Sequence, residues 1–285
     1  MPNEKIQQIV KWTVYALLIV NFLFYIAEDW GRAIHTLGAE SAFLDWTGEF
    51  ATSIDELGWF LLLFMFELET YVLSDDVLKG RVARTLHAIR LFCYVMIAHT
   101  VYAFTVTVID LQPTVPVQGV SDLCMMTDAN VSYVYNLQYT TVDEESCTGL
   151  SDASTYFWVT EGEIVSDARG LELERDLAWA DLLEAVVWLL ILLFIEMIVQ
   201  LQNRGIANGP LITIGNSVKL LLYAILIVEG IYWATLSHWL YLWDELLWIG
   251  GFAAIEMNVS DWRDELKREK INVDNGTKNP LEQTT

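Results

Sequence analysis

Three glutamates follow a tryptophan by eight positions inside strongly apolar stretches: WFLLLFMFE from Trp59 to Glu67, WLLILLFIE from Trp188 to Glu196, and WIGGFAAIE from Trp248 to Glu256. An ionised carboxylate in hydrocarbon costs something like 2.5 kcal/mol or more, so repeating it demands a counter-charge or a task. Two chemistries meet that demand. In the first, a base on the neighbouring helix neutralises each acid, Lys11 for Glu67, Arg90 for Glu196 and Lys219 for Glu256. Those bases open three similar segments, VKWTVYALLIVN, IRLFCYVMIAHT and VKLLLYAILIVE, each four residues before a tyrosine (Tyr15, Tyr94, Tyr223) and so on the same helical face. In the second, a threefold arrangement brings the three carboxylates toward one axis, where they could bind a cation or share protons. Asn21, His99 and Glu229 add polar groups at nearly equivalent mid-heights. Glu229 and His99 have no repeat-related base, so each is expected to face a cavity, a neighbour or a subunit contact.

The elements that must position these residues follow from composition. The chain has 285 residues, is 54% hydrophobic and carries a formal charge of −22, so apolar and acidic residues must be segregated along it, as in a membrane protein. Segments at about 10–27, 56–73, 88–109, 178–201, 213–235 and 241–258 are each long enough to cross a hydrocarbon core of ~30 Å as a helix. With the N-terminus inside, 13 of the 16 basic residues fall at the cytoplasmic side, and Arg32, Arg169 and Arg175 fall outside. The first segment is read as a retained helix, since no small-residue cleavage site follows it. The expected fold is an all-α integral membrane protein of six transmembrane helices in three two-helix repeats, with a small disulfide-stapled, β-containing external loop.

Each even-numbered segment also carries an acid four residues before its tryptophan (Asp55, Glu184, Asp244), with Glu56 and Glu245 adjoining two of them. These acids and the tryptophans are expected at the outer interface, where amphipathic rings settle. The glutamate eight residues on then lies ~12 Å deeper.

The chain is expected to divide into 1–110 (first hairpin and third helix), an external loop at 111–176, 177–260 (helices four to six) and a cytoplasmic tail at 261–285. The loop holds 12 acids against two arginines, a field that concentrates cations. Strands are expected at 131–140 and 156–165. Cys124 and Cys147, both in this loop, are expected to pair, leaving Cys93 in a membrane segment.

The segments FMFELETYV from Phe64 and LLFIEMIVQL from Leu192 resemble the second helix of voltage-sensor domains in the voltage-gated cation channel superfamily, which reads aromatic, two residues, glutamate, then aliphatics. The resemblance covers about ten residues at a time, and it implies that Phe64 with Glu67, and Glu196, would contact mobile arginines. No outside-to-inside segment carries the matching series of bases at every third position, and a pore-loop motif is absent.

Nucleotide loops, nucleophile elbows and zinc-protease or CxxC motifs are also missing, and the charge excludes a nucleic-acid surface. No enzyme activity and no cofactor are expected. The reading is a multi-pass protein of the plasma (inner) membrane, both termini cytoplasmic, that handles cations as a channel or transporter. Its alternative is a non-transporting accessory subunit or sensor that binds a partner through the external loop. Expected partners are the lipid bilayer, an inorganic cation, and a second copy or another membrane protein.

Overall fold

The structure is a computed structural model that describes residues 2–38, 40–68, 80–203 and 209–252. Its long helices are α1 (Pro2–Thr36), α3 (Ala51–Glu67), α4 (Arg81–Asp110), α6 (Ala168–Asn203) and α7 (Pro210–Thr235), with a short α2 (Phe43–Glu49) before α3 and a single turn, α5 (Cys147–Leu150), between α4 and α6. A further helix, α8, runs from 239 to 252, where the described residues end. Four helices contain stretches long and apolar enough to cross a membrane: Gln8–Thr36, Arg81–Asp110, Ala168–Leu201 and Pro210–Thr235. The described parts of the second and sixth expected spans are helical but shorter, α3 having 17 residues. Each begins with acids, Asp55 and Glu56 or Asp244 and Glu245, that cut into its apolar run. Six spans were expected; four meet the criterion among the described residues.

At 1.5 Å per residue the 36 residues of α6 extend ~54 Å, longer than one crossing of a ~30 Å hydrocarbon core requires, and the helix also packs against β2, β4 and β5. Large apolar side chains cover the outside of the bundle, among them Phe24, Leu91, Phe92, Leu193, Leu220 and Val228. Inside, Leu18, Ile97, Ile191 and Leu226 pack around Trp59, Trp188 and Trp248. Gly58 lets α3 lie close on α4: a Cβ there would stand 3.3 Å from Ile97 Cγ1 and 3.4 Å from the Cys93 carbonyl oxygen. Two helix ends show how sequence sets boundaries. Gly209, at φ 136°, holds a backbone that suits glycine, and Pro210 follows at the first helical position, where its missing N–H costs nothing. Arg175 closes α4 from outside, donating to the carbonyls of Leu111 (2.6 Å), Gln112 (2.9 Å) and Pro113 (3.1 Å).

Between α4 and α6 stands a five-stranded sheet in the order β1-β4-β5-β2-β3, built from Val115–Pro116 (β1), Ser132–Tyr135 (β2), Gln138–Thr141 (β3), Tyr156–Thr160 (β4) and Ile164–Asp167 (β5). All neighbours pair antiparallel except β2 and β5, which run parallel. The single strand expected at 131–140 is instead the hairpin β2–β3. Asn136 and Leu137 both take positive φ, 55° and 59°, the geometry of a two-residue hairpin turn. Asparagine tolerates that backbone; leucine does so here because its side chain packs with Tyr25, Leu177, Trp233 and Tyr241 and its N–H reaches Glu174 Oε1 at 3.0 Å. The tip is thus docked on the helices, with Asn136 Nδ2 donating to the Leu236 carbonyl at 3.0 Å and Asn136 Oδ1 3.1 Å from His238 Nε2.

Cys124 and Cys147 form the expected disulfide across the sheet's core of Leu123, Met126, Val131, Tyr133, Tyr156 and Val165. Closing a loop of that size contributes ~3 kcal/mol. Asp167 joins the sheet to α6. Burial works to raise its carboxyl, but hydrogen bonds from Ser151, the Gly170 amide, Tyr133 and the Arg169 amide outweigh that and hold it below the usual value. A carboxyl lowered by folding adds stability above its unfolded pKa, and that increment disappears as pH falls through the folded value. Asp167→Asn should therefore lower the thermal midpoint of the external sheet at neutral pH, with the deficit closing below about pH 4. Near-UV circular dichroism melts across pH read this directly; a deficit that stays constant would contradict it.

Candidate functional site

The glutamates that stand eight residues beyond the tryptophans occupy the end of the bundle away from the sheet. Lys11 Nζ lies 2.8 Å from Glu67 Oε2, and the Tyr15 hydroxyl donates to Oε1 at 2.7 Å. In the next hairpin the Tyr94 hydroxyl donates to Glu196; Tyr94 is one turn beyond Arg90 on α4. The same tyrosine-to-glutamate contact thus occurs twice. Glu256 lies outside the described residues, and with it the pairing to Lys219 and the tail at 261–285. Phe64 is on the outside of the bundle, 60% exposed. His99 faces α2, with Nε2 3.2 Å from the Thr47 carbonyl oxygen.

The tryptophans correct an expectation. They do not anchor at an interface; they meet at the centre of the bundle. Trp59 is 5.5 Å from Trp188 and 6.1 Å from Trp248 between ring centroids, and Phe252 packs on all three. Each tryptophan shares a helical face with the acid four residues before it, so when the rings turn inward the acids follow. Glu56, Asp244 and Glu245 are accordingly buried, and Asp55 and Glu184 are partly so.

All of these acids except Glu245 border a small, partly open cavity of about 40 Å³ directly above the rings. Its lining includes Asp55, Glu56, Asp181, Glu184 and Asp244, with the hydroxyls of Tyr25, Tyr241, Thr52 and Thr100. About 10–15 Å³ suffices for one water, so a few waters or a small bare ion fit, and an organic cation does not. Among the described lining residues there is no lysine, arginine or histidine. Arg32 lies higher, committed to Asp29 at 3.0 Å and Glu49 at 2.9 Å.

Donors to the acids are sparse and mostly indole. Trp248 Nε1 donates to Glu56 at 3.1 Å, Trp188 Nε1 to Glu245 at 3.2 Å, Trp233 Nε1 to Glu184 at 3.2 Å and Trp59 Nε1 to Asp55 at 3.1 Å. Asn21, expected at mid-height, donates Nδ2 to Asp244 Oδ1 at 2.5 Å. Glu229 adjoins the same cluster from α7. Both of its carboxyl oxygens, together with Glu56 Oε2 and Glu245 Oε2, are buried with no hydrogen-bond donor among the described residues.

The structure therefore has two acidic levels. The lower one, Glu67 and Glu196, has hydroxyl partners and, for Glu67, a lysine. The upper one is a carboxylate chamber, floored by the tryptophans and covered toward the sheet by Tyr241, Trp233 and Leu137. The sequence points to Asn21 and Glu229, but its reading sets Asp55, Glu184 and Asp244 at the interface and gives Glu56 and Glu245 no role of their own. The available signal is the repeat Asp-Glu-Leu-x-Trp, at Asp55–Trp59 and again at Asp244–Trp248. Among the described residues no three acids, histidines or cysteines converge at the spacing that holds a metal ion. No protein-family model, curated protein or solved structure matches the chain.

Proposed function

We propose that this chain is a multi-pass membrane protein that handles inorganic cations as a channel or transporter, with α3 and α8 completing a six-span bundle of three hairpins whose termini face the cytoplasm. The observation that carries the reading is the chamber. Five carboxyl groups line one small cavity whose described lining holds no basic residue, so a positive species must offset their charge. The acidic external loop would raise the cation concentration at its mouth. Below the tryptophan floor, Glu67 and Glu196 would form the next polar step.

Purified protein reconstituted into liposomes should pass protons or alkali cations down an imposed gradient. Glu56→Gln and Glu196→Gln should each reduce that flux toward the level of empty vesicles. Wild-type flux in both variants would remove the site assignment, and a wild-type protein that passes no cation would favour the accessory-subunit role.

A further inference from the structure

We infer that the chamber is a proton-binding site in which Glu56 with Asp244, and Glu184 with Glu245, form two facing carboxyl pairs, each holding one shared proton. The inference rests on the cation-handling reading and narrows it to one ion.

Each pair joins two helices: α3 to α8 in the first, α6 to α8 in the second. In each, one glutamate oxygen is already occupied. Glu56 Oε1 accepts from Trp248 and Glu245 Oε1 from Trp188. The second oxygen, Oε2 in both residues, is buried without an N–H or O–H donor among the described residues, and the two side chains are 4% and 1% exposed. Glu56 lies in hydrogen-bonding reach of the Asp244 carboxyl, and Glu245 in reach of that of Glu184. Two ionised carboxylates offer each other only lone pairs, so a hydrogen bond across either gap exists when one carboxyl carries a proton. A single proton then converts a repulsive contact into a short O–H···O⁻ bond and cancels one charge.

Arg32, the basic residue that acts on Asp181, is itself held by Asp29 and Glu49, and no lysine, arginine or histidine is among the described lining residues. Tyr25 faces the pairs from α1, Asp55 from α3, Asp181 from α6 and Glu229 from α7, while Asp244 and Glu245 adjoin one another on α8. The α4 contribution is the neutral Thr100. A metal ion is the chemical rival, since an all-oxygen lining suits hard cations. Calcium, however, takes six to eight oxygens at about 2.3–2.6 Å, and no three acids among the described residues converge at ligating spacing. A proton requires two oxygens, and two are in place in each pair.

Infrared spectroscopy of the protein in lipid nanodiscs tests this, because a protonated carboxyl has a carbonyl stretch separate from those of carboxylates and amides and shifts in D₂O. The wild type should show that band near neutral pH. The double variant Glu56→Gln/Asp244→Asn should lose part of it, and Glu184→Gln/Glu245→Gln another part. Paired amides supply their own N–H donors, so both variants should keep the helical circular dichroism of the wild type. Should a double variant fail to fold, the deuterium-sensitive wild-type band and its pH titration still decide. A wild type without the band, or a band unchanged in both folded variants, overturns the inference. So does a band removed by sodium or calcium at fixed pH, which would assign the chamber to a metal cation and leave the cation-handling reading standing. A band behaving as expected in a protein with no flux would overturn that reading and leave the proton site.

Discussion

Trp59→Ala is expected to lower stability by about 3–5 kcal/mol, the range for truncating a buried aromatic side chain, and to raise passive cation leak through reconstituted vesicles. Trp59 is 5% exposed and touches Trp188, Trp248 and Phe252 edge-on or tilted. Its removal leaves a void that the two other indoles cannot close without leaving the positions their own hydrogen bonds define. Trp248 and Trp188 are tied to Glu56 and Glu245, so collapse into the void would break those bonds or pull the acids with them. The indole N–H of Trp59 also serves Asp55, whose carboxylate would lose a donor. Trp239, 66% exposed, is the control; its replacement by alanine should fall within about 0.5 kcal/mol of wild type. Denaturant unfolding in nanodiscs measures the first quantity and a vesicle leak assay the second. Equal effects of the two substitutions would mean that the central cluster is not the floor of the chamber.

That cluster also shows where sequence reasoning reached and where it stopped. Hydropathy located the four helices that are long and apolar enough to cross a membrane, because such a helix must present some twenty mostly apolar residues in one stretch. Two cysteines in one loop led to the disulfide. Spacing alone brought Lys11 and Glu67 to a common level, since both distances follow from the rise of a helix. Rotation about the helix axis was the missing variable. A tryptophan at the end of an apolar run can turn outward to the interface or inward to the core, and the local sequence WFLLLF is apolar all round. The choice depends on the other five helices of the bundle, so the sequence reading places the acids that share the tryptophan face at the interface. The hairpin at Asn136–Leu137 is illegible in the sequence for a related reason. Leucine at positive φ has no local signature; it is held there by Tyr25, Trp233 and Tyr241, which are far away in sequence.

Glu229→Leu should act in the opposite sense to Trp59→Ala, stabilising the fold by about 1–3 kcal/mol, the cost of a buried polar group left unsatisfied. Glu229 is 6% exposed and neither carboxyl oxygen has a donor among the described residues. Leucine is close to it in volume and adds no polar atom, so the desolvation cost is removed and little packing is lost. The neighbouring Gly230 keeps α8 close: a Cβ there would stand 3.0 Å from Leu242 Cδ1 and 3.2 Å from Leu242 Cα, which holds the α8 acids against this part of α7. Glu56→Leu is the informative comparison. It removes the acceptor of the Trp248 indole inside the bundle, and should destabilise by about 1–3 kcal/mol for the donor left unpaired. Opposite signs for two buried glutamates, read as shifts in denaturant midpoint at unchanged slope, would separate an acid that holds the fold from one that weakens it. A stabilising Glu229→Leu that also lowers cation flux would show why the weakening residue is present: at the edge of the carboxylate pairs, it serves transport at the expense of the fold. Destabilisation by Glu229→Leu would instead place a donor on its carboxyl and remove it from that role.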